Sequence, residues 1–77
     1  MRINHVGNNQ TEIERKGGGI VLFSYNTPVA AFVPGKGGLC STRFYSRTTS
    51  RHINAAIVRW NCSRTDVSQS VIDKIAR

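Results

Sequence analysis

Acidic residues are scarce in this chain, and its central part has none. The 77 residues include eleven Lys and Arg and give a formal net charge of +7. The four acids are Glu12, Glu14, Asp66 and Asp73. A basic region without acids creates a positive field that favours an anionic partner, such as nucleic acid, an acidic protein surface or a lipid headgroup. The alternative, that the charge serves only solubility, stays open at this point.

Long apolar runs are also missing. No stretch approaches the roughly 18 apolar residues that a membrane-spanning helix needs, so we expect no contact with a membrane. The first ten residues, MRINHVGNNQ, contain no apolar core of the signal-peptide type. The expected location is therefore the cytosol of the cell that makes the protein.

Cysteine is limited to Cys40 and Cys62, with no CxxC pair. In a cytosolic chain we expect both thiols to be reduced and to act as small buried hydrophobic groups, with a disulfide between them as the open alternative. Neither thiol has the spacing to His5 or His52 that characterises zinc sites. We therefore expect no metal and no cofactor.

A catalytic constellation is missing as well. His52 is the one plausible general base, and no acid lies within a dozen residues of it. We therefore expect a protein that is not an enzyme, with Tyr25, Thr27 and His52 in a buried polar cluster. The triple glycine at 17–19 follows two basic residues, but a strand and not a helix comes next, which excludes a phosphate-binding loop.

Strand patterns dominate the first half of a chain that is long enough for one domain. Gly- and Pro-rich turns separate the candidate strands, so we expect an antiparallel meander. Residues 1–10 are expected to be loose, with a short edge strand at Ile3 and Val6 as the alternative. Residues 25–29 form either a hairpin turn or a bend within one strand. The candidate strands are residues 11–15, 20–25, 29–33 and 39–45.

An amphipathic helix is predicted over residues 48–60, with Thr49 as the N-cap. Apolar residues at i, i+3, i+4 and i+7 form one stripe, and Arg51 and Arg59 lie on the opposite side. The stripe consists of Ile53, Ala56, Ile57 and Trp60. Residues 61–66 are expected to form a polar loop, and a shorter helix is predicted after Ser68. The predicted fold is α+β: a small antiparallel sheet of three to four strands with one amphipathic helix packed on it and a short C-terminal helix. So small a core leaves a homodimer possible.

The candidate binding residues combine cations with an aromatic ring. Arginines contact phosphates, and aromatic rings stack on bases. Since side chains alternate along a strand, only one of Phe44 and Tyr45 is expected to face outwards, and Tyr45 shares its face with Arg43. Binding is expected to be led by the nucleic-acid backbone and sensitive to salt. The predicted site consists of Lys36, Arg43, Tyr45, Arg47, Arg51 and Arg59.

A protein partner is the competing hypothesis. Arg, Trp and Tyr are the usual anchors of protein interfaces, so the same arginines with Trp60 or Tyr45 would suit docking on another protein. The sequence leaves DNA, RNA and protein open as the partner.

Two segments, YNTPVA and TTSRHIN, resemble a small uncharacterised family of proteins encoded by bacteriophages and related mobile elements. The family pattern is a Tyr-x-Thr-Pro-Val-Ala segment followed by a Thr-Thr-x-x-His-Ile-Asn helix start. The resemblance covers about two-thirds of the chain and implies no particular activity. It implies phage accessory roles, such as nucleic-acid handling or interference with a bacterial host or defence complex of the anti-CRISPR kind. The matching residues are Tyr25, Thr27, Pro28, Val29, Ala30, Thr48, Thr49, His52, Ile53 and Asn54.

Overall fold

The computed structural model describes residues 2–77 as a six-stranded sheet with a helix on each face. The strands follow one another in sequence order, β1 to β5 are antiparallel, and β6 runs parallel to β5. The α+β prediction is confirmed, but the predicted number of strands is too small. The elements are β1 (Arg2–Gly7), β2 (Gln10–Glu14), β3 (Ile20–Ser24), β4 (Thr27–Val33), β5 (Gly37–Ser41), α1 (Arg47–Trp60), β6 (Arg64–Val67) and α2 (Gln69–Ala76).

Two strands beyond the four expected ones lie at the edges of the sheet. Arg2–Gly7, expected to be loose with an edge strand as the alternative, pairs with β2 from Arg2 opposite Glu14 to Gly7 opposite Gln10; Met1 lies outside the described residues. Arg64–Val67, expected to belong to a polar loop, pairs with β5. Edge strands bury little side-chain surface, so they need no hydrophobic alternation that a sequence pattern could show.

Helix α1 is the crossover between the parallel strands β5 and β6. Parallel neighbours cannot be joined by a tight turn, so the connection must leave the sheet, cross one face and return. The stripe on α1 is confirmed: Ile53 and Ala56 pack on Leu22, Ala30 and Cys40, with Ile57 and Trp60 partly buried beside them.

Helix α2 covers the opposite face of the sheet. Ile72 is fully buried against Val21 and Ala31, and Leu39 and Ile75 pack at the margin of this second cluster. Because strand side chains alternate, neighbouring residues supply the two cores. Strand β4 shows this directly, since Ala30 faces α1 and Ala31 faces α2. None of the helices within residues 2–77 is long and apolar enough to cross a bilayer.

The cap of α1 is Ser46, and the predicted cap Thr49 is wrong. The Ser46 hydroxyl accepts a hydrogen bond from the Thr49 backbone N–H at 3.1 Å. Thr49 is buried and its side chain turns towards the sheet. The helix ends at Trp60, and the left-handed backbone of Asn61 (φ 51°) is typical of a residue that follows a helix.

A hairpin turn joins β3 to β4. Of the two alternatives for residues 25–29, the turn is therefore correct and the bend within one strand is not. Tyr25 and Asn26 form the turn, and Tyr25 takes a left-handed backbone with φ 58°. A bulky side chain is uncommon in that region and costs about 1–2 kcal/mol. The Tyr25 backbone N–H donates to the carbonyl of Asn9 at 2.7 Å, which helps to hold this conformation.

Candidate functional site

The segment between β5 and α1 carries Arg43 and Tyr45, and two further predicted binding residues, Arg47 and Arg51, follow at the start of α1. Strand β5 ends at Ser41, so the predicted strand over residues 39–45 is too long. The chain must leave the sheet here because α1 lies over one face. The Thr42 backbone N–H still donates to the Val67 carbonyl at 2.9 Å, and the Arg43 N–H donates to the Ser41 hydroxyl at 3.2 Å. These bonds tie the start of the loop to the edge of the sheet.

Both aromatic residues of this loop are exposed. Phe44 is 73% exposed and Tyr45 is 37% exposed. The prediction that only one of them faces outwards is therefore wrong, because it assumed the alternation of a strand. The Arg43 guanidinium lies 6.0 Å from the centre of the Tyr45 ring, within reach of a cation–π contact. The loop thus places a cation and two aromatic surfaces side by side.

Arg47 and Arg51 continue this surface along the first two turns of α1. Both are exposed, and residues four apart lie one turn above another on a helix. Within residues 2–77, no carboxylate forms an ion pair with Arg43, Arg47 or Arg51, and the first turn of α1 has no acid. We name this set the basic loop surface. It consists of Arg43, Phe44, Tyr45, Arg47 and Arg51.

Arg59 does not belong to the basic loop surface, contrary to the helical-face prediction. Its guanidinium pairs with the buried carboxylate of Glu12 on β2, donating from Nε at 2.9 Å and from Nη2. The Trp60 indole N–H donates to the same oxygen at 3.1 Å. Glu12 is only 6% exposed, so it requires a charged partner. The long arginine side chain supplies one by folding back over the sheet.

Lys36 is also separate from the basic loop surface. It lies in the turn between β4 and β5, at the end where the chain enters β5. The loop that carries Arg43 follows Ser41, at the end where the chain leaves β5. Lys36 is exposed, but a length of strand separates it from the arginines of the loop.

A buried polar cluster joins the start of α1 to the end of β3. The Ser24 hydroxyl lies 2.8 Å from His52 Nδ1 and 3.0 Å from the Thr49 hydroxyl. The cluster expected around His52 is present, but with other partners than those predicted. Tyr25 is 53% exposed, and its ring centre lies 6.2 Å from that of His52. Sequence reasoning missed Ser24 because it ends a run of apolar strand residues.

The distance between the Ser24 hydroxyl and the His52 ring is short enough for a nucleophile and its general base. The ring nitrogen that faces the serine, however, is not the one used in a hydrolase triad. In such a triad the imidazole uses Nε2 for the serine, while Nδ1–H donates to a carboxylate. Here Nδ1 faces Ser24, which is only 2% exposed. This geometry matches an anchor between helix and sheet.

Burial lowers the pKa of His52 below its ordinary value of 6.5. The unfolded chain then binds a proton more readily than the folded one, so the contribution of His52 to stability is present above about pH 6.5 and declines as the pH falls below it. We expect thermal melts at pH 7.5, 6 and 5 to show a falling melting point. His52→Gln should reduce that fall, while His5→Gln, at the exposed histidine, should retain it. An equal fall in wild type and His52→Gln would contradict the assignment.

Two cavities flank the loop between β5 and α1. Cavity A, of about 300 Å³, lies between the loop, α1 and β6. Cavity B, of about 340 Å³, lies on the other side, between the loop, α1 and the β3–β4 hairpin. The residues that line cavity A include Phe44, Asn54, Arg64 and Asp66. Sequence reasoning missed Arg64 and Asp66 because residues 61–66 were expected to form a polar loop.

Cys40 and Cys62 do not form a disulfide, and the expectation of two buried thiols is confirmed for Cys40 but not for Cys62, which is half-buried. Cys40 is fully buried in the core beneath α1, and burial raises the pKa of its thiol. A buried thiol with a raised pKa is a poor nucleophile, so Cys40 acts in packing.

Comparison with known proteins identifies a family whose function is unknown. No curated protein and no solved structure matches the chain significantly. One family profile matches residues 1–74, which is nearly the whole chain. The chain therefore belongs to DUF8033, a family of unknown function.

Proposed function

We propose that this protein is a non-enzymatic binding protein that uses the basic loop surface to bind nucleic acid. One observation carries the proposal: three exposed arginines without ion-pair partners in residues 2–77 lie beside two exposed aromatic side chains. Arginine guanidinium groups bind phosphates, often with two hydrogen bonds at once. Exposed aromatic rings next to such cations are typical of surfaces that bind single strands.

The distribution of charge supports an anionic partner at the basic loop surface. Glu12 forms its ion pair with Arg59. Glu14 pairs with Arg2 on the edge strand β1. The basic loop surface keeps its positive charge because its own arginines have no such partner among residues 2–77. A positive field confined to one surface raises the rate and strength of association with a polyanion.

The proposal is tested by gel shift with single- and double-stranded DNA and RNA probes at low salt. We expect a shift for at least one probe class and a loss of binding as the salt concentration rises. The absence of any shift at low salt, for every probe, would overturn the proposal.

A protein partner, such as a host or defence complex, is the second candidate. The 73% exposed Phe44 favours it, because a protruding aromatic side chain is a common interface anchor. A pull-down from bacterial lysate with and without nuclease separates the two. A partner retained after nuclease treatment by the wild type but not by Phe44→Ala would support this second candidate.

A further inference from the structure

Cavity A is a polar recess directly beside the basic loop surface. Phe44 stands at its rim, Asn54 of α1 lines its wall, and Arg64 and Asp66 of β6 line the remaining side. Its volume of about 300 Å³ is at the small end of the range of ligand pockets, suited to one flat ring system and not to a large cofactor.

Arg64 fixes the orientation of the two polar groups next to it. It donates from Nη1 to Asn54 Oδ1 at 2.6 Å and from Nε to Asp66 Oδ1 at 3.1 Å. Arginine has no acceptor, so the atom of Asn54 that faces it must be the amide oxygen. The Asn54 NH₂ group and the second oxygen of Asp66 remain without a side-chain partner in residues 2–77. One donor and one acceptor are therefore held in place for a ligand.

Asp66 decides which part of a nucleic acid fits here. The Arg64–Asp66 ion pair at 3.1 Å offsets both charges, so this wall of cavity A attracts a phosphate less than Arg43 does, and it keeps the second carboxylate oxygen of Asp66 available. This oxygen is a good acceptor for the N–H groups on the edge of a nucleobase. The cavity thus suits a neutral group that offers both a donor and an acceptor, and the edge of a base has both.

The position of Phe44 points to an unpaired base. Its exposed ring at the rim offers a stacking surface, and stacking on an aromatic side chain contributes about 1–3 kcal/mol per base. In a duplex the bases are stacked on one another and their hydrogen-bonding edges are paired, so neither feature of cavity A would be used.

We propose that cavity A receives one unpaired nucleobase of a single strand, stacked on Phe44 and read by Asn54 and Asp66, while the neighbouring arginines bind the phosphates. The inference rests on the proposed nucleic-acid function and adds the class of nucleic acid and the residues that contact the base. Phe44 and Asp66 are then base-contacting residues, whereas Arg47 is a phosphate contact outside the cavity.

The test compares strands that share their phosphates but differ in their bases. Fluorescence anisotropy at low salt is measured with 15-nucleotide dA, dC and dT strands, an abasic 15-mer and a duplex of the same length. We expect the best base-bearing strand to bind at least about tenfold more tightly than the abasic strand, and more tightly than the duplex. Equal binding of the abasic strand would overturn the base site and leave the proposed function intact.

Variants separate base contacts from phosphate contacts. Asp66→Asn keeps an oxygen for Arg64 but replaces the free acceptor with a donor, so it should change the rank order of dA, dC and dT. Arg47→Gln is the matched control and should lower binding of every strand, the abasic one included, by a similar factor. An unchanged rank order in Asp66→Asn would overturn the assignment. Failure of wild type to bind any strand would overturn the proposed function and this inference together.

Discussion

Replacing Arg59 with alanine is expected to lower the free energy of unfolding by about 2–4 kcal/mol. Removing one partner of a fully buried ion pair costs roughly 3–5 kcal/mol, because the other charge is left uncompensated. Glu12 is almost fully buried, but the Arg59 side chain is 35% exposed, so some water reaches the pair. The Trp60 indole N–H also remains as a donor to Glu12. Both facts shift the expected cost about 1 kcal/mol below that range.

Urea unfolding measures this loss of stability. Two further variants serve as a control and as a rescue. Arg51→Ala, on the same helix but exposed and without an ion pair to any of residues 2–77, should change stability by less than about 0.5 kcal/mol. Glu12→Gln combined with Arg59→Ala should recover part of the loss, since no buried charge is then left alone. If Arg59→Ala is as stable as Arg51→Ala, the pair contributes nothing and the assignment of Arg59 to the fold is wrong.

Replacing Arg43, Arg47 and Arg51 together with glutamine is expected to abolish the salt dependence of nucleic-acid binding. Each phosphate neutralised on a single strand contributes about −0.7 to the slope of log affinity against log salt. Three contacts give a slope near −2, so wild-type affinity should fall by roughly 20-fold between 50 and 200 mM salt. The triple variant should bind weakly at 50 mM and change by less than about twofold over the same interval.

The matched control removes the same charge from other surfaces. Lys16, Lys36 and Lys74 are exposed, and none of them belongs to the basic loop surface. Replacing all three with glutamine lowers the net charge by three, as the arginine variant does. We expect this control to retain most of the affinity and of the salt slope. A loss as large as that of the arginine variant would show that binding follows net charge and not the basic loop surface.

The prediction for Arg59 shows where reasoning from a helical face fails. Spacing along α1 places Arg51 and Arg59 on the same side of the helix, away from the apolar stripe. A side chain as long as arginine can nevertheless fold back beside the helix and reach a neighbouring strand. Its partner Glu12 is 47 residues away in the sequence, so only the packing of α1 on the sheet brings them together.

The sequence by itself determined the α+β class, the apolar stripe of α1 and the scarcity of acids. These depend on local periodicity, composition or charge, which need no knowledge of neighbours. The tertiary structure decided which strands form the edges, that α1 is a crossover between parallel strands, and that the chain leaves the sheet after Ser41. That departure exposes Phe44 together with Tyr45 and brings Asn54 beside Asp66. Such contacts join residues far apart in sequence, and the pairing of a polar edge strand with its neighbour leaves no periodic signal in the sequence.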